Sequence, residues 1–342
     1  MKKIKVGING MGRIGKNLCR VITQDLQDYF DIVAANDLVP AEVVVKSFRR
    51  DSTHGRFPVE VKLLAGDEIQ LGPNRVKMFA EKDAANIGWG ALDVELVFEC
   101  TGFYLTREKA MAHIQAGAKK VIISAPPKDK TPIFVVGVND EKMTPELNII
   151  SNASCTTNGL APLVKALDDA FGVASGLVST THAVTNGQRV VDAFGSERDR
   201  SALNNIIPTS TGAARAIGKV IPHLDGLLNG SSLRVPVDDG SVVEAVIVVK
   251  GQHTVDDILT GLQTQAEKQN RRSVLNTVLY VGDDFQVSAD AVGSSWSSMV
   301  LSNNAMVIPF DGYTLVKLTS FYDNEIGYSY RLADLAIAFS RV

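Results

Sequence analysis

Three cysteines in 342 residues, Cys19, Cys100 and Cys155, are too few, odd in number and too far apart for a disulfide framework. Their scarcity points to a reducing compartment, the cytoplasm. No apolar run approaches the ~18 residues of a membrane span. The opening Met1-Lys2-Lys3-Ile4-Lys5-Val6 runs straight into a strand pattern, so no signal peptide is expected. Charge of one sign is also lacking: 35 Lys and Arg stand against 38 Asp and Glu, with no basic run, so neither nucleic acid nor a membrane is an expected partner. Internal repeats and low-complexity linkers are absent. What is plentiful is apolar residue, 45% of the chain, which at this length supports two domains with sizeable cores.

The first half reads as alternating strands and helices. Ile4 to Asn9 is a β-branched strand, followed at once by Gly10-Met11-Gly12-Arg13-Ile14-Gly15 and a helical pattern from Arg13 to about Gln24. Strand, glycine motif and helix in that order form a dinucleotide signature: the glycines permit the turn and the close approach of a pyrophosphate, and the helix start offers N–H groups to it. A second strand, Asp31 to Asn36, ends at Asp37, 22 residues past Gly15. An acid at that distance suits an adenosine ribose and repels a 2′-phosphate, so NAD is expected over NADP. Val59 to Leu64 and Arg75 to Phe79 are expected to form a hairpin. Further strands are expected at Val94 to Cys100, Lys120 to Ser124 and Ile133 to Val138, with a helix from Arg107 to Ala116 stopped by Gly117. Cys19 and Cys100 are expected in the core, and Ser124, at a strand end, in the cofactor cleft.

After residue 154 helices become fewer. Strands are expected at Ser175 to His182, Leu233 to Val237, Val242 to Val249, Phe285 to Ala289 and Tyr313 to Ser320. Thr254 should cap a helix over Val255 to Lys268. The last helix, Ile326 to Phe339, carries an apolar stripe through Leu332, Leu335 and Ala336. The expected fold class is α/β, a Rossmann-type doubly wound parallel sheet, plus an α+β catalytic domain with a mainly antiparallel sheet.

Between the halves stands Ser151-Asn152-Ala153-Ser154-Cys155-Thr156-Thr157-Asn158. Cys155 falls near a strand-to-helix junction, where helix-start N–H groups are expected to lower a thiol from about 8.5 toward roughly 7. Pro162 suits the first turn of a helix from Ala161, or a kink in a longer one. His182, 27 residues on at a strand end, can pair with Cys155 as acid and base. Thr209-Ser210-Thr211-Gly212 before a helix, and Arg234 within an apolar strand, offer two anion sites, with Thr185 adding a hydroxyl. An ordinary helix cap and a carboxylate partner for Arg234 remain the alternatives there.

The octet resembles the active-site signature of the phosphorylating glyceraldehyde-3-phosphate dehydrogenases. The resemblance extends through Asn9 to Gly15, Asn36-Asp37, His182 with Thr185 and Gln188, Ile207-Pro208, Ser210 to Ala214, Arg234-Val235-Pro236 and Tyr322 to Glu325. It implies Cys155 as nucleophile and His182 as its base. By the same resemblance Gly10, Gly12, Arg13, Ile14, Asp37, Lys82, Ser124 and Asn324 hold NAD. Ser154, Thr156, Thr185, Thr211, Gly212 and Arg234 would bind substrate or phosphate, and no metal is implied. It further implies a cytosolic homotetramer of glycolysis and gluconeogenesis, whose loop after His182 lies against a neighbouring subunit. The domains would be 1–153 for NAD, 154–320 for catalysis, and 321–342 as a helix returning to the first. The sequence departs from the family pattern at Gly187, in place of a phosphate-binding threonine or aspartate, at Gly159, in place of a second cysteine, and at Ile326, in place of tryptophan. The loop from Asp192 to Asn205 looks shortened. Two alternatives stay open: an erythrose-4-phosphate dehydrogenase, disfavoured by the intact Ser210 to Ala214, and an NAD-binding regulatory or adhesive protein, disfavoured by the intact Cys155 and His182.

Overall fold

The computed structural model describes residues 2–342, which divide into two compact units. One comprises the chain up to Phe134, Asp140–Ala153 and Ser329–Val342; the other comprises Val135–Asn139 and Ser154–Tyr328.

The strands of the first unit are β1 (Ile4–Asn9), β2 (Phe30–Asn36), the short pair β3 (Arg50–Asp51) and β4 (Gly55–Arg56), β5 (Val61–Leu63), β6 (Glu68–Leu71), β7 (Asn74–Phe79), β8 (Leu96–Glu99), β9 (Lys120–Ile123) and β10 (Ile149–Ser151). Eight of them form one sheet in the order β10-β9-β8-β1-β2-β7-β6-β5. Pairing is parallel from β10 to β7 and antiparallel beyond. Strand order reverses at β1, with β2 on one side and β8 on the other, and the crevice beyond such a switch point is where open α/β sheets bind ligands. Val6, Ile8, Ile32, Val97, Phe98 and Ile122 are fully buried, as strands covered on both faces require. The helices are α1 (Arg13–Asp25), α2 (Ala41–Arg49) and α3 (Arg107–Gln115), the last capped by the Thr106 hydroxyl.

Two expectations fail here. The strands at 61–63 and 74–79 do not pair with each other, because β6 lies between them in a three-stranded meander. The run Ile133 to Val138 contributes one bridge, Ile133 to Ser151, and then turns. The Asn139 side chain accepts the Val135 N–H at 2.8 Å, so a local cap overrides the apolar pattern.

The second unit contains β11 (Val173–His182), β12 (Ile207–Ser210), β13 (Leu228–Arg234), β14 (Ser241–Lys250), β15 (Leu279–Gly282), β16 (Ser298–Leu301), β17 (Met306–Phe310) and β18 (Tyr313–Tyr322). Its sheet runs β12-β13-β11-β14-β18-β16-β15, with β17 also on β18. Pairing is antiparallel except between β11 and β13 and between β15 and β16. The helices are α4 (Cys155–Phe171), α5 (Ala213–Val220), α6 (Val255–Asn270) and α7 (Ile326–Phe339), of which α7 crosses from this unit into the first. Thr254 and Asp257 form a reciprocal cap on α6. The expected strand Phe285 to Ala289 is absent: Asp290 takes the N–H groups of Gln286 and Val287 at 2.9 and 3.0 Å and closes a turn. The strand expected at Leu233 to Val237 ends at Arg234 and begins earlier, at Leu228. Among the described residues no helix is long and apolar enough to cross a membrane.

Candidate active site

In the first unit the glycine-rich turn follows β1. Gly10 has φ +95°, a left-handed conformation that favours glycine, and a Cβ there would lie 2.9 Å from the Thr101 methyl. A Cβ on Gly15 would lie 2.0 Å from the Gly10 carbonyl oxygen, so turn and helix can meet only through a glycine. Gly12 is different, since nothing lies within 4 Å of its Cβ position. The N-terminus of α1 is therefore open at Gly12, with Ile14 half-buried beside it. Asp37, just past β2, is fastened to this turn: Oδ2 accepts the Met11 N–H at 2.7 Å and Oδ1 the Val39 N–H at 3.1 Å. Open N–H groups, an uncrowded glycine and an anchored carboxylate suit a dinucleotide with a free ribose.

Arg13 pairs with Asp51, whose second oxygen takes the Thr53 and His54 N–H groups. Burial works against the Asp51 charge, but Arg13 and these N–H groups hold its carboxyl well below the usual range. Lys82 is exposed on the loop after β7. Ser124 follows β9 and bonds the Cys100 thiol, which burial pushes up to about 12. Burial likewise raises Cys19. Cys19 lies in the core as expected, whereas Cys100, at the strand end, is half-buried.

In the second unit Cys155 is the first residue of α4. Two residues earlier Ala153 has φ +58°, a left-handed position that costs an alanine on the order of 1–3 kcal/mol and re-aims the chain into the helix. Ser154 is the N-cap, its hydroxyl accepting the Thr157 N–H at 3.0 Å. The octet thus spends one expected substrate hydroxyl on holding the helix start. Pro162 lies inside α4, which starts at Cys155 rather than at Ala161.

The sheet register assembles the rest. His182, at the end of β11, sits beside Arg234 at the end of β13, and Ser241 at the start of β14 sits beside Tyr322 at the end of β18. Cys155 Sγ lies 3.4 Å from His182 Nε2. The other ring nitrogen, Nδ1, is 2.7 Å from the Ala183 carbonyl oxygen and also meets Arg234 Nη1, which donates to the same carbonyl at 2.9 Å. These contacts define two tautomers. With its hydrogen on Nδ1, donated to Ala183, the ring turns a lone pair toward the thiol and is a base. With Arg234 donating to Nδ1, the hydrogen is on Nε2 and faces the sulfur.

Burial pushes the Cys155 thiol up to about 11, against the pull of Arg234 and of Thr156. Burial and the Arg234 charge push His182 down to about 4. The lowered thiol expected from the helix start is therefore not found for the lone group: desolvation outweighs the helix end. A neutral thiol beside a neutral imidazole is the resting pair, poised to pass one proton along the contact.

Of the expected anion ligands, Arg234 stands at the centre. Its Nε is buried without a partner, a charged donor left over beside the Cys155–His182 pair. Thr156 instead bonds the Tyr322 hydroxyl at 2.9 Å. The Thr185 hydroxyl donates to Gln188 Oε1 at 2.7 Å and keeps its lone pairs open. Thr211 and Gly212 lie just before α5, with the Thr211 hydroxyl accepting the Ala213 N–H, and neither bonds Cys155. Asn324 Oδ1 accepts the Ser241 hydroxyl at 2.5 Å, and Ser241 Oγ accepts the Ala183 N–H.

Sequence reasoning gives no role to three residues near the pair. Tyr322, fully buried, bonds Thr156 and Thr180 and sets its ring edge-on to His182 at 5.9 Å. It also explains Gly159, where a Cβ would lie 2.9 Å from the Tyr322 ring. Arg198 adds a second positive field at Arg234. Asp239, pushed up to about 9 by burial and by Asp323 and Glu325, is held neutral near the thiol. Tyr322 lies in the Tyr322 to Glu325 motif, which marks the stretch without giving this residue a role, while Arg198 and Asp239 have no local sequence signal.

Comparison with known proteins gives a consistent match. Residues 4–107 match the family model for the glyceraldehyde 3-phosphate dehydrogenase NAD binding domain, and residues 154–324 match that for the C-terminal domain. The chain is 44% identical over 337 residues to glyceraldehyde-3-phosphate dehydrogenase of Bacteroides fragilis, covering 97% of this chain and 98% of the relative. It is 42% identical over 336 residues to that of Geobacillus stearothermophilus, 97% of each, and 43% over 346 residues to the cytosolic protein of Sinapis alba, 99% of each. With both family models matched in order and identity above 40% along nearly its whole length, the chain belongs to the glyceraldehyde-3-phosphate dehydrogenase family.

Proposed function

We propose that this protein oxidises glyceraldehyde 3-phosphate with NAD and inorganic phosphate to 1,3-bisphosphoglycerate. The observation that carries the reading is the Cys155–His182 contact with the orphaned Arg234 Nε beside it: a nucleophile, a base and an anion site together. The Cys155 sulfur bonds to the aldehyde carbon as His182 takes the thiol proton, and His182 returns that proton to the carbonyl oxygen, giving a hemithioacetal and a neutral ring. His182 then accepts the hydroxyl proton as that carbon is oxidised. Bound NAD supplies the hydride acceptor. The acyl group remains on the sulfur as a thioester until phosphate attacks it and the C–S bond breaks. Arg234 and Thr185 hold the substrate phosphate, while Thr211 and Gly212 receive the attacking phosphate.

The 1–153 segment with the returning C-terminal helix holds the cofactor and the 154–320 segment carries the chemistry. The protein works as a cytoplasmic homotetramer. Support comes from the loop after His182, where Val190, Val191, Phe194, Leu203 and Ile206 are exposed, an apolar surface suited to another subunit. The test is NADH formation by the purified protein with phosphate present, the triose phosphate and erythrose 4-phosphate being assayed side by side. Preference for the tetrose would replace the substrate, and failure to reduce NAD with either would overturn the reading.

A further inference from the structure

Beneath the cofactor turn lies a charged group that neither the glycine motif nor the catalytic pair uses. Glu99 ends β8 and is 1% exposed; His113, on α3, is fully buried. Glu99 Oε2 accepts the Asn9 side-chain amide at 2.6 Å and lies 3.0 Å from His113 Nε2. Oε1 accepts the Thr101 N–H at 2.7 Å and the Thr101 hydroxyl. The tautomer of His113 follows from its other nitrogen. Trp89 Nε1 is 3.1 Å from His113 Nδ1, and an indole N–H can only donate. Nδ1 therefore presents a lone pair, the ring is neutral, and its hydrogen on Nε2 points at Glu99. All four contacts bring donors to the carboxyl group, the environment of an anion. It is a buried anion held by neutral donors alone, costly to desolvate unless each is in place.

From this anion two arms run across the strand ends. One fixes Thr101, whose methyl backs Gly10. The other passes through Asn9, whose Oδ1 accepts the Asn36 amide at 2.8 Å, to Asn36, which brackets Glu81 by bonding both its carbonyl at 3.0 Å and its N–H at 2.8 Å. Glu81 leads into Lys82, whose carbonyl accepts the Tyr104 hydroxyl. The ends of β8, β1 and β2 and the loop after β7 are thus tied to one charge, along the edge where parallel sheets take their ligand.

We propose that Glu99 is the positioning residue of the dinucleotide cleft: its buried carboxylate sets Asn9, Thr101 and, through Asn36, the Glu81–Lys82 turn, with His113 as a neutral donor behind it. This rests on the reading that the cleft takes NAD, so NAD binding by the wild type is measured first, and its absence would overturn that reading before any variant is made. Glu99→Gln keeps the shape but turns an amide hydrogen toward the donors. It should raise the NAD dissociation constant about tenfold or more, with turnover at saturating NAD within roughly threefold and Cys155 alkylation in the absence of NAD unchanged. A merely structural role would lower the thermal midpoint without that split. Should Glu99→Gln not fold, Asn36→Ser cuts the outer arm without touching the charge and should weaken NAD by at least about threefold. Nitrogen NMR of the wild type should show His113 as the Nε2–H tautomer. NAD affinity within twofold of wild type in a folded Glu99→Gln, or in Asn36→Ser if the first does not fold, would overturn the proposal, as would an Nδ1–H tautomer.

Discussion

Replacing His182 with asparagine removes the ring nitrogen at 3.4 Å from the Cys155 sulfur, and the effect on thiol reactivity can be worked from the geometry. With the thiol at about 11 and the imidazole at about 4, moving a proton from sulfur to ring is uphill by about seven powers of ten if the charges formed apart. At contact, opposite charges attract by roughly 5 kcal/mol at an effective dielectric of ~20, which restores between three and four of those powers. A thiolate–imidazolium form then accounts for about one molecule in 10³–10⁴. No proton leaves the site when it forms, so its population is independent of pH between about 5 and 7. Without the ring, a thiolate arises only by losing its proton to solvent, and its fraction falls tenfold for each pH unit below the thiol pKa. Iodoacetamide labelling of Cys155 should therefore be flat on the acid side for the wild type and steep for His182→Asn. The two should differ a few-fold near pH 7 and by more than about 100-fold near pH 5. Turnover should fall by roughly 10²–10⁴ as acid–base assistance is lost, with NAD affinity unchanged. A wild-type labelling rate that drops tenfold per unit from pH 7 to pH 5, parallel to the variant, would refute the proton transfer and with it the assignment of His182 as base.

Asp37→Gly should narrow the preference for NAD over NADP, mainly by losing NAD affinity, because the carboxylate both repels a 2′-phosphate and anchors the Met11 N–H; equal wild-type use of both cofactors in steady-state assays would contradict this. Gly15→Ala should destabilise the protein by about 2 kcal/mol or more and abolish NAD binding, since the new methyl meets the Gly10 carbonyl, which is backbone and cannot step aside; denaturant unfolding and NAD titration check it. Arg234→Leu should remove most of the discrimination in kcat/KM between glyceraldehyde 3-phosphate and glyceraldehyde. Gly187→Thr, placed where the Cβ meets nothing, should modestly lower KM for the phosphate ester with little change in turnover.

The parallel sheet was legible because its strands are short apolar runs rich in valine and isoleucine that alternate with helical patterns, a local signal. Cys155 and His182 were legible for a similar reason: each ends or begins an element. What escaped depends on partners distant in sequence. The Tyr322 hydroxyl reaches Thr156 across 166 residues, and the register that sets Arg234 beside His182 belongs to the sheet, not to either strand. The acidity of Cys155 was misjudged because a helix start is visible in sequence and burial is not. The strands at 279–282, 298–301 and 306–310 are short apolar runs without alternation, which periodicity alone cannot tell from a buried helical segment, so only pairing with neighbours defines them. At Phe285 to Ala289 the aspartate that overrides the strand lies just beyond the run it disrupts.

Residues 329–342 belong to the first unit although the 175 residues from 154 to 328 separate them from its sheet. Leu332, Ala333, Leu335, Ala336 and Phe339 are fully buried, Lys120 grips the Phe339 and Val342 carbonyls, and Tyr330 bonds Asp25. On a ribosome this arrangement sets a timetable. The glycine-rich turn emerges early, yet its unit lacks a piece until translation has passed residue 339, about 9–37 s after Ala153 is made at roughly 5–20 residues per second. The second unit, nearly continuous in the chain, has all its strands by then. The segment made first is therefore the one that finishes last. In the interval the surface that α7 covers stands bare, so the nascent first unit, rather than the second, is the one that needs shielding until synthesis ends.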